Sequence, residues 1–126
     1  MADYLPVHRN GADPFTVTVS ASVLGGQVLA ASGVGTVAPT AGPSGAAIGV
    51  AQHDAPTGGL VTVWPISGVI HETVSPAGVT AGAALTSSTS GGIDSGTLAT
   101  VAAAGTHIGT ALTTAAAGAK ARWIGR

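Results

Sequence analysis

The stretch Phe15-Thr16-Val17-Thr18-Val19-Ser20 alternates strictly between apolar and polar side chains. Successive side chains of a β-strand point to opposite faces, so this stretch predicts a half-buried strand with Phe15, Val17 and Val19 on the inner face. Further short segments bounded by Gly or Pro follow it, at residues 27–31, 46–51, 60–64, 69–74, 97–102, 107–113 and 119–124. Short strands at this spacing predict an all-β fold, a small single-domain sandwich or barrel.

The composition supports one small β domain and argues against several other classes. The chain has 126 residues, of which 20 are Gly and only 7% are charged, and its formal net charge is −1. Helical bundles need many Leu, Glu and Lys residues, and nucleic-acid binding usually needs a basic patch, so neither is expected. The chain has no Cys, which excludes disulfides and fits synthesis in a reducing cytoplasm.

A polar segment precedes the predicted strands. Residues 1–14 contain Pro6, Gly11 and Pro14 and are expected to form an extended N-terminal arm, with residues 15–126 as the β domain. The charged residues of the arm leave no room for the apolar region of a signal peptide. Residues 97–119 are uncharged, but their Gly, Thr and His content makes them a poor membrane span, so no membrane partner is expected.

An internal sequence repeat predicts two related halves. Ile48-Gly49-Val50-Ala51 parallels Ile108-Gly109-Thr110-Ala111 at an offset of 60 residues, and residues 26–29 parallel residues 82–85 at an offset of 56. The repeat suggests pseudo-repeat halves at residues 23–75 and 79–126. The alternative is that the matches arise by chance, because the chain is rich in Ala and Gly. The shared Gly of the repeated motif predicts a β-bulge or a close backbone approach.

The titratable residues do not form a recognisable catalytic or metal site. Adjacent residues of a strand face opposite ways, so neither His53-Asp54 nor His71-Glu72 can act as an acid/base couple. Asp54 is expected to cap its turn, and one member of the second pair is expected to meet an apolar region or a subunit. No metal-ligand spacing, nucleophile elbow or phosphate loop is present, so we expect no enzyme and no cofactor. A single His repeated around a trimer axis is the one metal arrangement left open.

The two ends of the chain carry the candidate contact residues. The arm combines an aromatic ring, a proline and an arginine, which suits docking onto another surface, although a frayed terminus is the alternative. At the C-terminus, residues 120, 122, 124 and 126 share one face, a basic rim that either meets an acidic partner or is simply solvated. Trp123 lies on the opposite face and is expected in the core or at an interface. The predicted contacts with a partner surface or with another subunit are Tyr4, Leu5, Pro6, Val7, His8, Arg9, Trp123 and Arg126.

The order of these motifs resembles the capsid decoration, or head cement, proteins of tailed phages, notably those that infect actinobacteria. The resemblance rests on the opening residues 2–11, on the Thr-Val-Thr-Val strand leading to residues 25–29, and on residues 48–55 before a Gly-rich turn. It continues through residues 60–63, 79–85 and 108–112 and so covers nearly the whole chain. The closing residues 120–126 depart from the Val-x-Val-x-Leu strand that is usual in the family.

The resemblance implies an all-β protein that binds the outer surface of a phage head and stabilises the shell. It also implies a homotrimer at three-fold and quasi-three-fold positions, with the major capsid protein as partner. Two other functions remain open: a head-borne adhesin for the host surface or a glycan, and a minor structural role such as a head fibre base or an internal head protein. Exposed Trp side chains would favour the adhesin, and a low copy number would favour the minor role.

Overall fold

The structure, a computed structural model, describes residues 13–126 and contains two five-stranded sheets. The first sheet consists of β1 (Phe15–Val19), β2 (Val28–Gly33), β3 (Thr36–Pro39), β4 (Ala47–Ala51) and β5 (Leu60–Pro65). The second consists of β6 (Ile70–Val74), β7 (Ala84–Ser87), β8 (Ile93–Gly96), β9 (His107–Ala111) and β10 (Lys120–Gly125). Helix α1 (Leu98–Ala103) and a 3₁₀ turn at Thr89–Gly91 belong to the second half. The all-β fold predicted from the sequence is confirmed.

The first sheet closes on itself as a barrel in the order β1-β5-β4-β2-β3. β1 pairs with β5 antiparallel, with Thr16 opposite Thr62, and with β3 parallel, with Val19 opposite Val37. Closure removes the free strand edges that would otherwise pair with other chains. The first half is therefore a complete small barrel.

The second sheet has the same strand order, β6-β10-β9-β7-β8, but within residues 13–126 its two end strands are not hydrogen-bonded to each other. The connection from β8 to β9 contains α1, which packs against β7 and β9. β6 and β8 are consequently edge strands, whereas β1 and β3, their counterparts in the first sheet, pair directly.

The repeated sequence motif lies at equivalent places in the two sheets. Ile48-Gly49-Val50-Ala51 is in β4 and residues 108–111 form most of β9. The ladder register shifts beside each motif, where β4 pairs with β2 and where β9 pairs with β7. The turns before β5 and β10 both place a Gly in the left-handed region, Gly58 and Gly118, each with φ of 81°. The two sheets divide at the 66–69 connection, so β6 belongs to the second sheet although it falls within the predicted half at residues 23–75. The division into pseudo-repeat halves at residues 23–75 and 79–126 stays a prediction.

Two apolar clusters lie inside the halves, built mainly from Val, Ala, Ile and Leu. The first belongs to the barrel and contains Leu29, Val61 and Val63. The second surrounds Trp123 and includes Val28 and Val50, which come from strands of the first sheet. Because the barrel supplies part of the second core, the two halves pack as one unit, as expected for one domain.

Several elements differ from the sequence-based expectation. Residues 97–102 were expected to be a strand, but Leu98–Ala103 is a helix with only Val101 buried. This segment is rich in Ala, the strongest helix former, and Gly105 with φ of 71° follows its end. Strands β3 and β8 were not predicted, since their Pro, Asp, Ser and Gly residues are typical of turns. Strand β7 was expected only through the internal repeat, as a strand that begins after Gly82.

Candidate functional site

The predicted contact residues fall into three different environments. Tyr4, Leu5, Pro6, Val7, His8 and Arg9 lie outside the described residues, so their role as contacts stays a prediction. Arg126 is exposed at the end of β10, and its backbone N–H donates to the carbonyl of Ile108. It remains available for a contact with a partner.

Trp123 is a core residue, which corrects its prediction as a contact. Its side chain is 0% exposed and belongs to the cluster inside the second half. The indole Nε1–H donates to Oγ1 of Thr73 at 3.0 Å, and the ring centroid lies 4.8 Å from that of His71. A side chain enclosed in this way has no surface to present to the capsid or to another subunit.

His71 and Glu72 point to opposite faces of β6, as expected for neighbours on a strand. His71 is buried, and its Nε2 lies 3.1 Å from the carbonyl oxygen of Pro65 and 3.4 Å from that of Ile66. A carbonyl only accepts, so Nε2 carries the proton and links β6 to the connection between the sheets. Burial lowers the pKa of His71, although the two carbonyls partly oppose this shift. The side chain is therefore a neutral structural group.

The pair His53-Asp54 connects loops of the first half. Oδ1 of Asp54 accepts a hydrogen bond from the backbone N–H of Gly25 at 2.8 Å, so the carboxylate holds a neighbouring loop rather than capping its own turn. His53 Nδ1 lies 2.9 Å from the carbonyl of Asp54, and its Nε2 accepts from the N–H of Thr62. Both side chains have structural partners in this arrangement.

Within the part of the chain that the structure describes, no three His, Cys, Asp or Glu side chains come together as a candidate metal site. The same residues include no helix that is long and apolar enough to cross a membrane.

The outward face of β6 and β10 is the surface that combines charged and large apolar side chains. We call it the β6–β10 face and define it by Ile70, Glu72, Val74, Lys120, Arg122 and Ile124, all of them exposed. Glu72 lies opposite Arg122 in the ladder, and the Arg122 Nε donates to the Glu72 carboxylate at 3.3 Å. Both side chains are more than half exposed, so the ion pair contributes little to folding.

A groove at the junction of the two halves adjoins this face. Its volume is about 410 Å³, and its lining includes Leu24, Gln27, Val74, Pro76 and Lys120. Gln27 crosses the junction: its Oε1 accepts from the N–H of Leu24 and its Nε2 donates to the carbonyl of Ser90 at 2.9 Å. Apolar surface therefore continues from the β6–β10 face into the junction.

The outward face of β1 and β5 is the corresponding surface of the first half. It presents Thr16, Thr18, Leu60, Thr62 and Trp64. Trp64 is 36% exposed, and its Nε1–H donates to Oε1 of Gln52 at 3.0 Å. Of the two Trp residues, Trp64 is the one that is exposed at the surface. An exposed Trp is the feature that the adhesin hypothesis requires.

Comparisons with known proteins identify a matching protein family and a solved structure of similar fold. The model of a family described as phage cement protein matches residues 7–125. No curated protein sequence matches the chain. The fold is similar to the crystal structure of the head fiber gp8.5 N base in bacteriophage phi29, with a TM-score of 0.71 and 19% sequence identity over 90% of this chain and 93% of that chain.

Proposed function

Because the chain belongs to the phage cement protein family and is a structural protein of the phage head, we propose that it is a capsid decoration protein. It binds the outer surface of the head, contacts the major capsid protein and stabilises the shell. It acts as a homotrimer at three-fold and quasi-three-fold positions. The observation that carries this proposal is the family match, which extends over residues 7–125 of the 126.

The physical character of the chain supports binding in several copies. Only 7% of its residues are charged, so much of its surface is formed by small and hydroxyl side chains that pack closely against neighbours. Each individual contact through such a surface is weak. When the first of three linked copies has docked, the other two are held close to the shell at a high effective concentration. The trimer therefore binds more tightly than a single copy, although each copy makes the same contacts.

The N-terminal arm is the segment that contacts the shell or an adjacent subunit in this proposal. The segment Tyr4 to Arg9 combines an aromatic ring, apolar residues and a cation. Deleting residues 2–10 should weaken binding to heads, and circular dichroism checks that the variant keeps the strands β1 to β10, which lie within residues 15–125. Unchanged binding of the deletion variant would remove the arm from the proposal.

Co-sedimentation tests the proposed function. The purified chain is mixed with mature, expanded heads of the encoding phage that were prepared without it, and the bound copies are counted at saturation. We expect about three copies for each three-fold and quasi-three-fold position, since a trimer occupies each of them. Absence of binding to expanded heads would contradict the proposal.

A second candidate function is the base of a head fibre. The observation that favours it is the similarity of the fold to the head fiber base of bacteriophage phi29. In this case the chain would anchor a further protein to the head instead of reinforcing the shell. A mechanical or thermal assay separates the two, because a cement protein protects filled heads from rupture and a fibre base does not.

A further inference from the structure

The two halves of the chain expose equivalent outward faces with different chemistry. Thr16 lies opposite Thr62 in the first sheet, and Glu72 lies opposite Arg122 at the corresponding place in the second. The same offset of 60 residues relates Leu60 to Lys120. Both faces are built on the same strand order, so their side chains can be compared position by position.

Charge is the first difference between the faces. The β6–β10 face carries two cations, Lys120 and Arg122, and one carboxylate, Glu72, whereas the β1–β5 face carries hydroxyl groups at the central positions. Within residues 13–126 every Lys and Arg lies on β10 or directly after it, the remaining one being Arg126. The cations of the described chain are thus concentrated on one side of one half.

The number of exposed aliphatic side chains is the second difference, since the β1–β5 face has one, Leu60, and the β6–β10 face has three. Ile70 is 61% exposed, and Val74 and Ile124 are also exposed around the central ion pair. At the position equivalent to Gln52, whose amide binds Trp64 in the first half, the second half has the exposed Leu112. Large aliphatic groups around charged ones are typical of an interaction surface rather than of a face in contact with water only.

We propose that the β6–β10 face is the surface that contacts the head, and that its partner is an acidic and partly apolar surface of the major capsid protein. The inference rests on the proposed head-binding function and adds the orientation of the chain: of the two outward faces, the β6–β10 face is the one turned toward the shell. In a trimer whose axis is perpendicular to the shell, all three copies present the same face to it. The three weak contacts then act together.

The charges favour the capsid over a second copy of this chain as the occupant. If two β6–β10 faces met, Lys120 and Arg122 of one copy would approach the same cations of the other, with only one carboxylate on each side. An acidic partner surface satisfies both cations and can take over the exposed ion pair.

The size of the face agrees with binding through several copies. The two neighbouring strands β6 and β10, spaced about 4.8 Å apart and about 17 Å long, offer an area of about 160 Å². Stable interfaces bury about 800 Å² on each partner, so one copy alone binds weakly. The face needs either the other two subunits or the N-terminal arm to hold the protein on the head.

A pair of matched variants tests the inference. Ile70→Glu and Leu60→Glu replace aliphatic side chains that are 61% and 63% exposed by the same carboxylate, one on each outward face. Binding of full-length trimeric protein to heads prepared without it is measured by co-sedimentation, and folding is checked by thermal melting. We expect Ile70→Glu to weaken binding about tenfold or more and Leu60→Glu to change it less than about twofold. Raising the salt concentration should weaken binding of the unaltered chain, because Lys120 and Arg122 face acidic groups.

The possible outcomes separate the two proposals. Failure of the unaltered chain to bind heads would overturn both the function and the orientation. Binding of the unaltered chain with equal losses, or no loss, in the two variants would overturn the orientation alone. Loss of trimers in Ile70→Glu, measured by analytical ultracentrifugation, would also overturn it, since the face would then join copies of the chain.

Discussion

The glycine of the second repeated motif should be intolerant of any side chain. In Gly109→Ala, the added Cβ would overlap the backbone carbonyl of Ile124 and lie 2.8 Å from Cε3 of Trp123. Trp123 is fully buried, and β10 is hydrogen-bonded to strands on both sides, so neither neighbour can move away without disturbing the sheet. We therefore expect a clear loss of stability.

The magnitude follows from two opposing effects. Overpacking in a protein interior costs about 1–3 kcal/mol, and a clash with strand backbone falls at the upper end of that range. Replacing Gly by Ala restricts the unfolded chain and returns about 0.4–1 kcal/mol. The free energy of unfolding should therefore fall by about 2–2.5 kcal/mol, which lowers Tm by about 6–12 °C for a domain of this length.

Thermal melting followed by circular dichroism measures this effect, with Gly42→Ala as the control. A Cβ on Gly42 would meet no atom within 4 Å, so that variant should melt at or slightly above the temperature of the unaltered protein. Gly49→Ala, at the equivalent position of the first half, should behave like Gly109→Ala, since its Cβ would overlap Val63 and Trp64. A Tm for Gly109→Ala within about 2 °C of the control would refute the close backbone approach.

Three further predictions concern β6 and β10. Burial lowers the pKa of His71 below its ordinary 6.5, so around that pH the unfolded chain binds a proton that the folded chain does not. The free energy of unfolding should therefore fall as the pH drops through and below about 6.5, and it should level off below the folded pKa. Urea unfolding of His71→Gln should lack this pH-dependent component. Thr73→Val leaves the Nε1–H of Trp123 without its acceptor and should cost about 1–3 kcal/mol in chemical denaturation, whereas a cost below about 0.5 kcal/mol would mean that the bond contributes little. Glu72→Gln removes only an exposed ion pair with Arg122, and its unfolding free energy should stay within about 1 kcal/mol of the unaltered value; a larger loss would show that the pair is structural.

Alternation of apolar and polar residues was sufficient to locate the long strands. Residues 15–20 and 119–124 were predicted as strands, and β1 and β10 lie there with the expected inner faces. The strands that were missed are short and contain residues such as Asp94 and Gly96, whose own preference is for turns. Pairing with β7 makes Ile93–Gly96 a strand, and that pairing is not encoded in local sequence.

The proposed interaction surface could be predicted only in part, for a similar reason. The sequence placed Lys120, Arg122 and Ile124 on one face of a strand, and that face is exposed. It could not show that Glu72, fifty residues earlier, lies opposite Arg122, because the register of β6 against β10 depends on the whole sheet. Trp123 was left open between core and interface, and only the packing around it assigned it to the core.

The most direct test of the account is a cryo-electron microscopy reconstruction of expanded heads with and without the chain. The account predicts difference density on the outer surface at every three-fold and quasi-three-fold position, shaped as three copies with the β6–β10 face toward the shell. Difference density inside the shell, at a few positions only, or absent altogether would contradict the proposed function. External density with the β1–β5 face toward the shell would contradict the orientation.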